Sequence, residues 1–246
     1  MLNSAILAIS RIRLALTGPG GRLAELRSRV PGRIIFLTNF GIEDQLITHF
    51  ILSRDLAIDV VTFDTGRLLP STYEVWNQTE QKYGRRVRSV HADAAAGAEI
   101  VAEAGINGFY HSKDERLACC QVRKVEPLER ALAGAEAWVT GLRADQSGQR
   151  STVALESWDE ERLLIKFAPL FDWTRAEVAE FCAAEQVPVS AVQDEGFSLF
   201  GCQPCTGATA LGEPDRAGRW WWEEQGNAEC GLHSGPNGKL TRGKST

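Results

Sequence analysis

The reactive potential of this sequence lies in six cysteines: Cys119, Cys120, Cys182, Cys202, Cys205 and Cys230. Cys202-Gln203-Pro204-Cys205 has the C-x-x-C spacing that brings two thiolates onto one metal centre, and Cys119-Cys120 supplies two more from a distant point in the chain. Four thiolates can hold a tetrahedral zinc or a [4Fe-4S] cluster. Neighbouring cysteines in an extended chain point apart, which suits a single ion poorly. A cluster with iron atoms a few ångströms apart accommodates the pair better, so the spacing favours iron–sulfur. Several buried or redox-active thiols without metal are the plainer alternative. Cys182, beside Phe181 in a helical pattern, reads as a small core hydrophobe. Cys230 stands alone in Glu229-Cys230-Gly231-Leu232-His233. A glycine-flanked tail thiol can enter a crevice as a nucleophile, its pKa drawn down from roughly 8.5 by a nearby base or cation. His233 is placed to tune it, or is an ordinary tail histidine.

Basic residues cluster beside these thiols. Arg123 and Lys124 directly follow the cysteine pair, Arg143 and Arg150 flank Gln146-Ser147, and Arg216 and Arg219 precede Trp220-Trp221-Trp222. Arginine can grip phosphate or sulfate in bidentate fashion. Arg85, Arg86 and Arg88 read as ordinary solvated charge.

These groups need a scaffold that carries loops to one place. Arg33-Ile34-Ile35-Phe36-Leu37 is a short bulky run typical of a buried parallel strand, and 43–52 repeats apolar residues at helical spacing. The alternation recurs: strands over 59–63 and 87–91, helices over 70–83 and 94–104. Further strands are expected at 137–141 and 163–168, then a helix over 176–185 with Thr174 and Glu177 as a capping box. Such alternation predicts an α/β fold, a mostly parallel Rossmann-like sheet with helices on both faces. Its ligand crevice lies beyond the carboxyl ends of the strands. The loops there are Thr38-Asn39-Phe40-Gly41-Ile42-Glu43-Asp44, Asp64-Thr65-Gly66-Arg67, His91-Ala92-Asp93 and the stretch from Gly141 to Ser147. The first sets a hydroxyl, an amide and a glycine before a helix N-terminus, a setting that suits phosphate. An ordinary turn and helix cap explains that loop equally well.

Composition bounds the function. Of 246 residues, 43% are hydrophobic and 24% charged, with 27 Lys+Arg against 32 Asp+Glu. The net charge of -5 argues against a broad cationic face for nucleic acid or anionic membrane. No apolar run approaches the roughly 18 residues of a membrane span. The expected organisation is an N-terminal helical segment over 1–30, behind a Gly18-Pro19-Gly20-Gly21 break; a nucleotide-binding domain over 31–207; and a loop-rich, semi-mobile C-terminal arm over 208–246. The amphipathic 2–16 stretch is expected to pack on the body or on another subunit. Clustered thiols in a chain of this size point to the cytoplasm, where they stay reduced.

Together, Cys119-Cys120-Gln121-Val122-Arg123-Lys124-Val125-Glu126-Pro127-Leu128, Thr140-Gly141-Leu142-Arg143, Gly201-Cys202-Gln203-Pro204-Cys205, Arg216-Ala217-Gly218-Arg219-Trp220-Trp221-Trp222-Glu223 and Glu229-Cys230-Gly231-Leu232-His233 resemble the assimilatory adenylyl-sulfate (APS) reductases, in the family's motif order. The resemblance runs from about Ile34 to His233. It implies an adenine-nucleotide α-hydrolase-like fold and a thioredoxin-dependent reduction of APS to sulfite and AMP, a step of sulfate assimilation toward cysteine. It implies a [4Fe-4S] cluster on Cys119, Cys120, Cys202 and Cys205. Cys230 matches the cysteine that attacks the sulfur of APS, expels AMP and carries a cysteine S-sulfonate. Lys124, Arg143, Arg216 and Arg219 match family basic residues near the substrate anion. Thr38, Asn39, Gly41 and Gly141, with Asp64 and Arg67 of the second loop, are the expected nucleotide contacts, and His233 joins them. The expected partners are thioredoxin or a glutaredoxin-like donor and the nucleotide, with neither nucleic acid nor membrane, in a homo-oligomer.

Three rivals follow. Reduction of the 3′-phosphorylated nucleotide, PAPS, alone or beside APS, is the nearest, although in the family it usually accompanies loss of the cluster cysteines. A tRNA-modifying ATP-pyrophosphatase wants a Ser-Gly-Gly-x-Asp-Ser loop, absent at Thr38 to Asp44, and a basic RNA face. An iron–sulfur or zinc redox sensor would not release AMP from APS.

Overall fold

The computed structural model describes residues 18–146, 150–193, 196–197, 201–210, 213 and 217–223. Helix α1 (Pro19–Arg29) leads into β1 (Arg33–Thr38), α2 (Ile42–Ser53), β2 (Asp59–Asp64), α3 (Pro70–Tyr83), β3 (Arg88–His91) and α4 (Ala94–Ala104). Then follow α5 (Lys113–Cys120), a π-helical turn (Gln121–Val125), α6 (Glu126–Leu132), β4 (Ala135–Val139), β5 (Glu156–Asp159), β6 (Leu164–Phe167) and α7 (Arg175–Ala184). The strands form one sheet in the order β3-β2-β1-β4-β6-β5. All neighbours are parallel except β5, which pairs antiparallel with β6 and ends the sheet.

Alternating residues of the inner strands feed two cores, which is why β1 reads as one continuous apolar run. Ile34 and Phe36 face one core with Leu23 and Leu26 of α1, Leu46 and Ile47 of α2 and Val178 and Cys182 of α7. Ile35 faces the other with Val61, Trp138 and Leu128 and Leu132 of α6. Each fully buried Leu, Ile or Phe contributes roughly 1.5–3 kcal/mol. Helix α1 is further fixed by Arg22, which meets both oxygens of Asp172 at 2.6 and 2.7 Å and the Pro169 carbonyl at 2.8 Å.

The strands and helices expected between 33 and 185 are present, three local expectations are corrected, and one further strand appears. The break expected at Gly18 to Gly21 narrows to Gly18, the extended N-cap, and Pro19 is the first residue of α1, where a missing N–H costs nothing. The 113–132 stretch is helical, so the cysteine pair ends a helix rather than standing in extended chain. Polar Glu156–Asp159 forms an edge strand. Residues 217–223, placed in the semi-mobile arm, pack back on the C-x-x-C knuckle through the Thr206–Arg219 bridge and the bond from Gly207 N–H to the Gly218 carbonyl at 2.8 Å. The expected 2–16 helix lies outside the described residues, among which no helix is long and apolar enough to cross a membrane.

Candidate active site

Strand order reverses between β2 and β4 on either side of β1, which makes the carboxyl end of β1 the topological switch point and opens a crevice there. The loop leaving β1 is folded on its own polar groups. Thr38 Oγ1 accepts from Phe40 N–H at 3.0 Å, Asn39 Oδ1 from Gly41 N–H at 2.9 Å, and Asp44 Oδ2 from Asn39 N–H at 2.7 Å. Phe40 is held at a φ of 62°, which a bulky residue seldom adopts. Gly41 caps α2, whose first-turn N–H groups have no partner within the helix. Gly141, after β4, lies so close to the Asp44 carboxylate that a Cβ there would collide with it. Burial pushes the Asp44 carboxyl up to about 7, against the bond from Asn39 N–H and with the help of nearby Glu43.

Arg143 is fully buried. Its guanidinium lies 3.1 Å from Glu43 Oε1, pairs also with Asp145, and donates to the Trp173 carbonyl at 3.4 Å. Gln146 accepts from Arg143 N–H at 3.2 Å and from Arg150 Nη1 at 2.7 Å. Arg143, expected near the substrate anion, stands at the end of β4 with Glu43 and Asp145 as its acidic partners.

The loop after β2 is fused to the cysteines. Asp64 Oδ1 accepts from Gly66 N–H at 2.8 Å and from the Tyr73 hydroxyl at 2.7 Å. Burial and this bond push the Tyr73 phenol up to about 12. Gln203 N–H donates to the Arg67 carbonyl at 2.7 Å, Leu68 bridges to Cys202, and Cys202 Sγ lies 3.3 Å from Thr65 Oγ1. Cys119, Cys120, Cys202 and Cys205 line one pocket. Arg67, Arg116, Arg123 and Lys124 line it too, and no carboxylate does among the described residues. The sequence explains the convergence: Arg116 and Cys120, like Cys119 and Arg123, stand four apart on a helical stretch and share a face. Arg123 Nη1 also donates to the Thr65 carbonyl at 2.7 Å.

The cations act unequally on the thiols. Burial opposes ionisation of Cys202, but Lys124, the Thr65 hydroxyl, Arg219 and Arg123 together hold it below the ordinary thiol range. Burial pushes Cys119 up against the pull of Arg123, and pushes Cys205 up together with the charge of Cys202. Arg219 donates to Thr206 Oγ1 at 2.7 Å and crosses Gly201 where a Cβ would stand. Cys182 is apart in the core, its thiol pushed up to about 12, chiefly by burial.

The donor set can be tested against the expected cluster. No group of three or more His, Cys, Asp or Glu side chains among the described residues is arranged to hold a single metal ion. Four thiols within a cationic, carboxylate-free pocket fit a larger, anionic group bound by cysteine alone.

Thus Cys119, Cys120, Cys202, Cys205, Arg67 and Lys124 come together, with Arg219 beside them, while Thr38, Asn39, Gly41, Gly141 and Arg143 form the first-loop side and Asp64 stands in the loop after β2, bonded to Gly66 N–H and the Tyr73 hydroxyl. Arg216, Cys230 and His233 lie outside the described residues. Arg116, Thr65 and Glu223 were not singled out by the sequence reading. Arg116 was within reach, since helical spacing from Cys120 marks it once 113–120 is read as a helix.

Residues 33–208 match the profile of the phosphoadenosine phosphosulfate reductase domain. The chain is 48% identical over 213 residues to the adenosine 5′-phosphosulfate reductase of Rhizobium meliloti (strain 1021), covering 87% of this chain and 80% of that protein. It is 46% identical over 200 residues to the protein of the same name from Allochromatium vinosum, covering 81% and 78%. In fold it is similar to the crystal structure of phosphoadenylyl-sulfate reductase from Candida auris in a phosphate complex, with a TM-score of 0.69 and 23% identity over 80% of this chain and 94% of that one. With the profile spanning most of the sheet and identity near one half over most of both chains, this chain belongs to the phosphoadenosine phosphosulfate reductase family.

Proposed function

We propose that this chain reduces APS to sulfite and AMP, using a dithiol protein such as thioredoxin or a glutaredoxin-like donor, in the assimilation of sulfate toward cysteine. The observation that carries the reading is the fusion of the second crevice loop with a cation-lined pocket of four cysteines, through the bond from Gln203 N–H to the Arg67 carbonyl. The sulfur of a sulfonyl group is shielded by negative oxygens. Displacement at it needs cations on those oxygens and on the leaving phosphate, plus a thiolate.

Thr38, Asn39, Gly41, Asp64 and Gly141 hold the nucleotide at the switch point. Lys124 and Arg219, with Arg67 and Arg216, face its anionic groups. Cys230 attacks the sulfonyl sulfur: an S–S bond forms, the S–O bond to phosphate breaks, and AMP leaves with the bonding pair. One thiol of the donor then attacks Cys230 Sγ and expels sulfite; its second thiol closes the donor's disulfide and frees Cys230. Two electrons pass from dithiol to sulfur, and two protons are released. His233 assists at the thiol. Cys119, Cys120, Cys202 and Cys205 would hold a [4Fe-4S] cluster, which supplies fixed negative charge rather than electrons. Arg116, Arg123 and Lys124 are the residues of this chain placed to answer that charge.

The relatives named for APS support APS over PAPS, and rates on the two nucleotides measure that preference. The decisive experiment incubates anaerobically purified protein with APS and reads the intact mass. One added sulfonate mapping to Cys230, with release of AMP, is expected; sulfite made at the parent's rate by a Cys230→Ser protein rejects the scheme.

A further inference from the structure

The two loops that border the crevice are joined by a chain of rings on α3. Phe40 of the first loop keeps a φ of 62°, a conformation that a bulky residue holds only where its surroundings enforce it. Phe40 is buried, and its ring lies nearly parallel to that of Trp76, with 5.5 Å between centroids and 21° between planes. Trp76 lies in the same way against Tyr73, at 6.4 Å and 16°. The two stand three apart on α3 and share a face. The Tyr73 hydroxyl then donates to Asp64 Oδ1 at 2.7 Å, and that oxygen also accepts from Gly66 N–H of the second loop at 2.8 Å. The indole is itself held: its Nε1 donates to Glu80 Oε1 at 2.9 Å, one turn along α3, and Gln45 Nε2 of α2 donates to Thr79 Oγ1 at 2.7 Å. The route from Phe40 to Asp64 thus runs through three rings and one hydrogen bond, and none of the rings belongs to the lining of the cysteine pocket.

We propose that Trp76 and Tyr73 are positioning residues: with Phe40 they form a strut that fixes the distance between the first and second loops and keeps the crevice shaped for the nucleotide before it arrives. The inference rests on the reading that an adenine nucleotide binds between these loops. Offset-stacked rings each add a modest, directional attraction, and a hydroxyl bonded to a carboxylate adds more. Loops already held in the bound arrangement need not be ordered on binding, so the gain appears as affinity. It does not appear in the chemical step, because the saturated complex has the same contacts whether or not the loops were held beforehand.

The test uses the full-length, anaerobically purified protein and four variants. Trp76→Leu removes the middle ring, Trp76→Phe restores a ring, Tyr73→Phe removes only a hydroxyl, and the fourth combines Trp76→Leu with Tyr73→Phe. Tyr73 is 38% exposed, so losing its hydroxyl leaves the core intact. Four quantities are measured: the affinity for AMP, the turnover rate at saturating APS, the iron content, and the midpoint of urea unfolding. AMP affinity is expected to fall about tenfold in Trp76→Leu and about fivefold in Tyr73→Phe, while Trp76→Phe stays within about twofold of the parent. The double variant binds no more weakly than Trp76→Leu alone, because a strut broken at one point gains nothing from its other end. Turnover at saturation stays within about twofold throughout, and iron stays at the parent's level. Trp76→Leu binding AMP with the parent's affinity overturns the proposal whatever its unfolding midpoint, since the ring would then serve stability alone. A Trp76→Phe protein as weak as Trp76→Leu, or additive losses in the double variant, overturns it as well. So does iron that falls in step with affinity: Asp64 stands in the loop bonded to Cys202 and Gln203, and the effect would then run through the cysteine pocket. A parent protein that neither binds AMP nor turns over APS rejects the underlying reading itself, a result distinct from these.

Discussion

At the loop after β1, Arg143 is enclosed with Glu43 and Asp145, and Arg175 stands 3.6 Å from the same Glu43. Around the cysteines, Arg67, Arg123 and Lys124 line a wall that includes no carboxylate among the described residues. The first region has its charge balanced from within and serves as a brace. The second gathers cations next to thiols, an arrangement that favours negative charge there. Arginines that look alike in the sequence therefore differ in role according to whether acidic partners are packed against them.

Substitutions should separate the two regions. Glu43→Gln, which leaves Arg143 buried with one carboxylate fewer, is expected to cost about 3 kcal/mol of stability, measured by chemical denaturation. Arg67→Gln at the rim of the pocket should move the same curve by less than about 1 kcal/mol; equal losses at both positions would erase the distinction. Next in size, Lys124→Ala should lower turnover about a hundredfold, or about 2.7 kcal/mol, with the visible absorption of the iron centre retained. Unchanged turnover would show that the excess charge of the pocket is idle.

Asp44 gives the finer test. Folding raises its pKa to about 7, so the native chain keeps a proton that the unfolded chain has already released. Its contribution to stability therefore falls as pH rises from about 4 through 7. Asp44→Asn removes that dependence and should gain about 4 kcal/mol at pH 8 and nothing at pH 4. Melting temperatures of both proteins across that range check the sign, and a gain independent of pH would rule out the buried carboxyl as its source.

Much of the scaffold was legible because buried parallel strands are short, bulky and uninterrupted, as at Ile34-Ile35-Phe36, and because Thr174 and Glu177 form the capping box that their spacing announces. Helix 113–132 escaped because its exposed polar positions, its cysteine pair and Pro127 break the apolar period. Strand β5 escaped because Glu156-Ser157-Trp158-Asp159 is polar and sits at an edge, where one side pairs and the other meets water. Within the site, the gathering of Cys119 and Cys120 with Cys202 and Cys205 was permitted by their spacing and specified by the family resemblance. The burial of Arg143 was not, since its partners Glu43 and Asp145 come from different elements and only folding brings Glu43 to it.

The wide turn at Gln121–Val125 has a consequence for how the cysteine helix is held. Glu126 N–H reaches back five residues to the Gln121 carbonyl, and Pro127 immediately after it has no N–H to offer. Were the stretch to tighten into an ordinary α-helix, the pyrrolidine ring would press on the carbonyl of Arg123 and find no hydrogen bond to make there. The proline thus acts like a pawl behind a gear tooth, favouring the wide turn that sets Arg123 and Lys124 directly after Cys119 and Cys120.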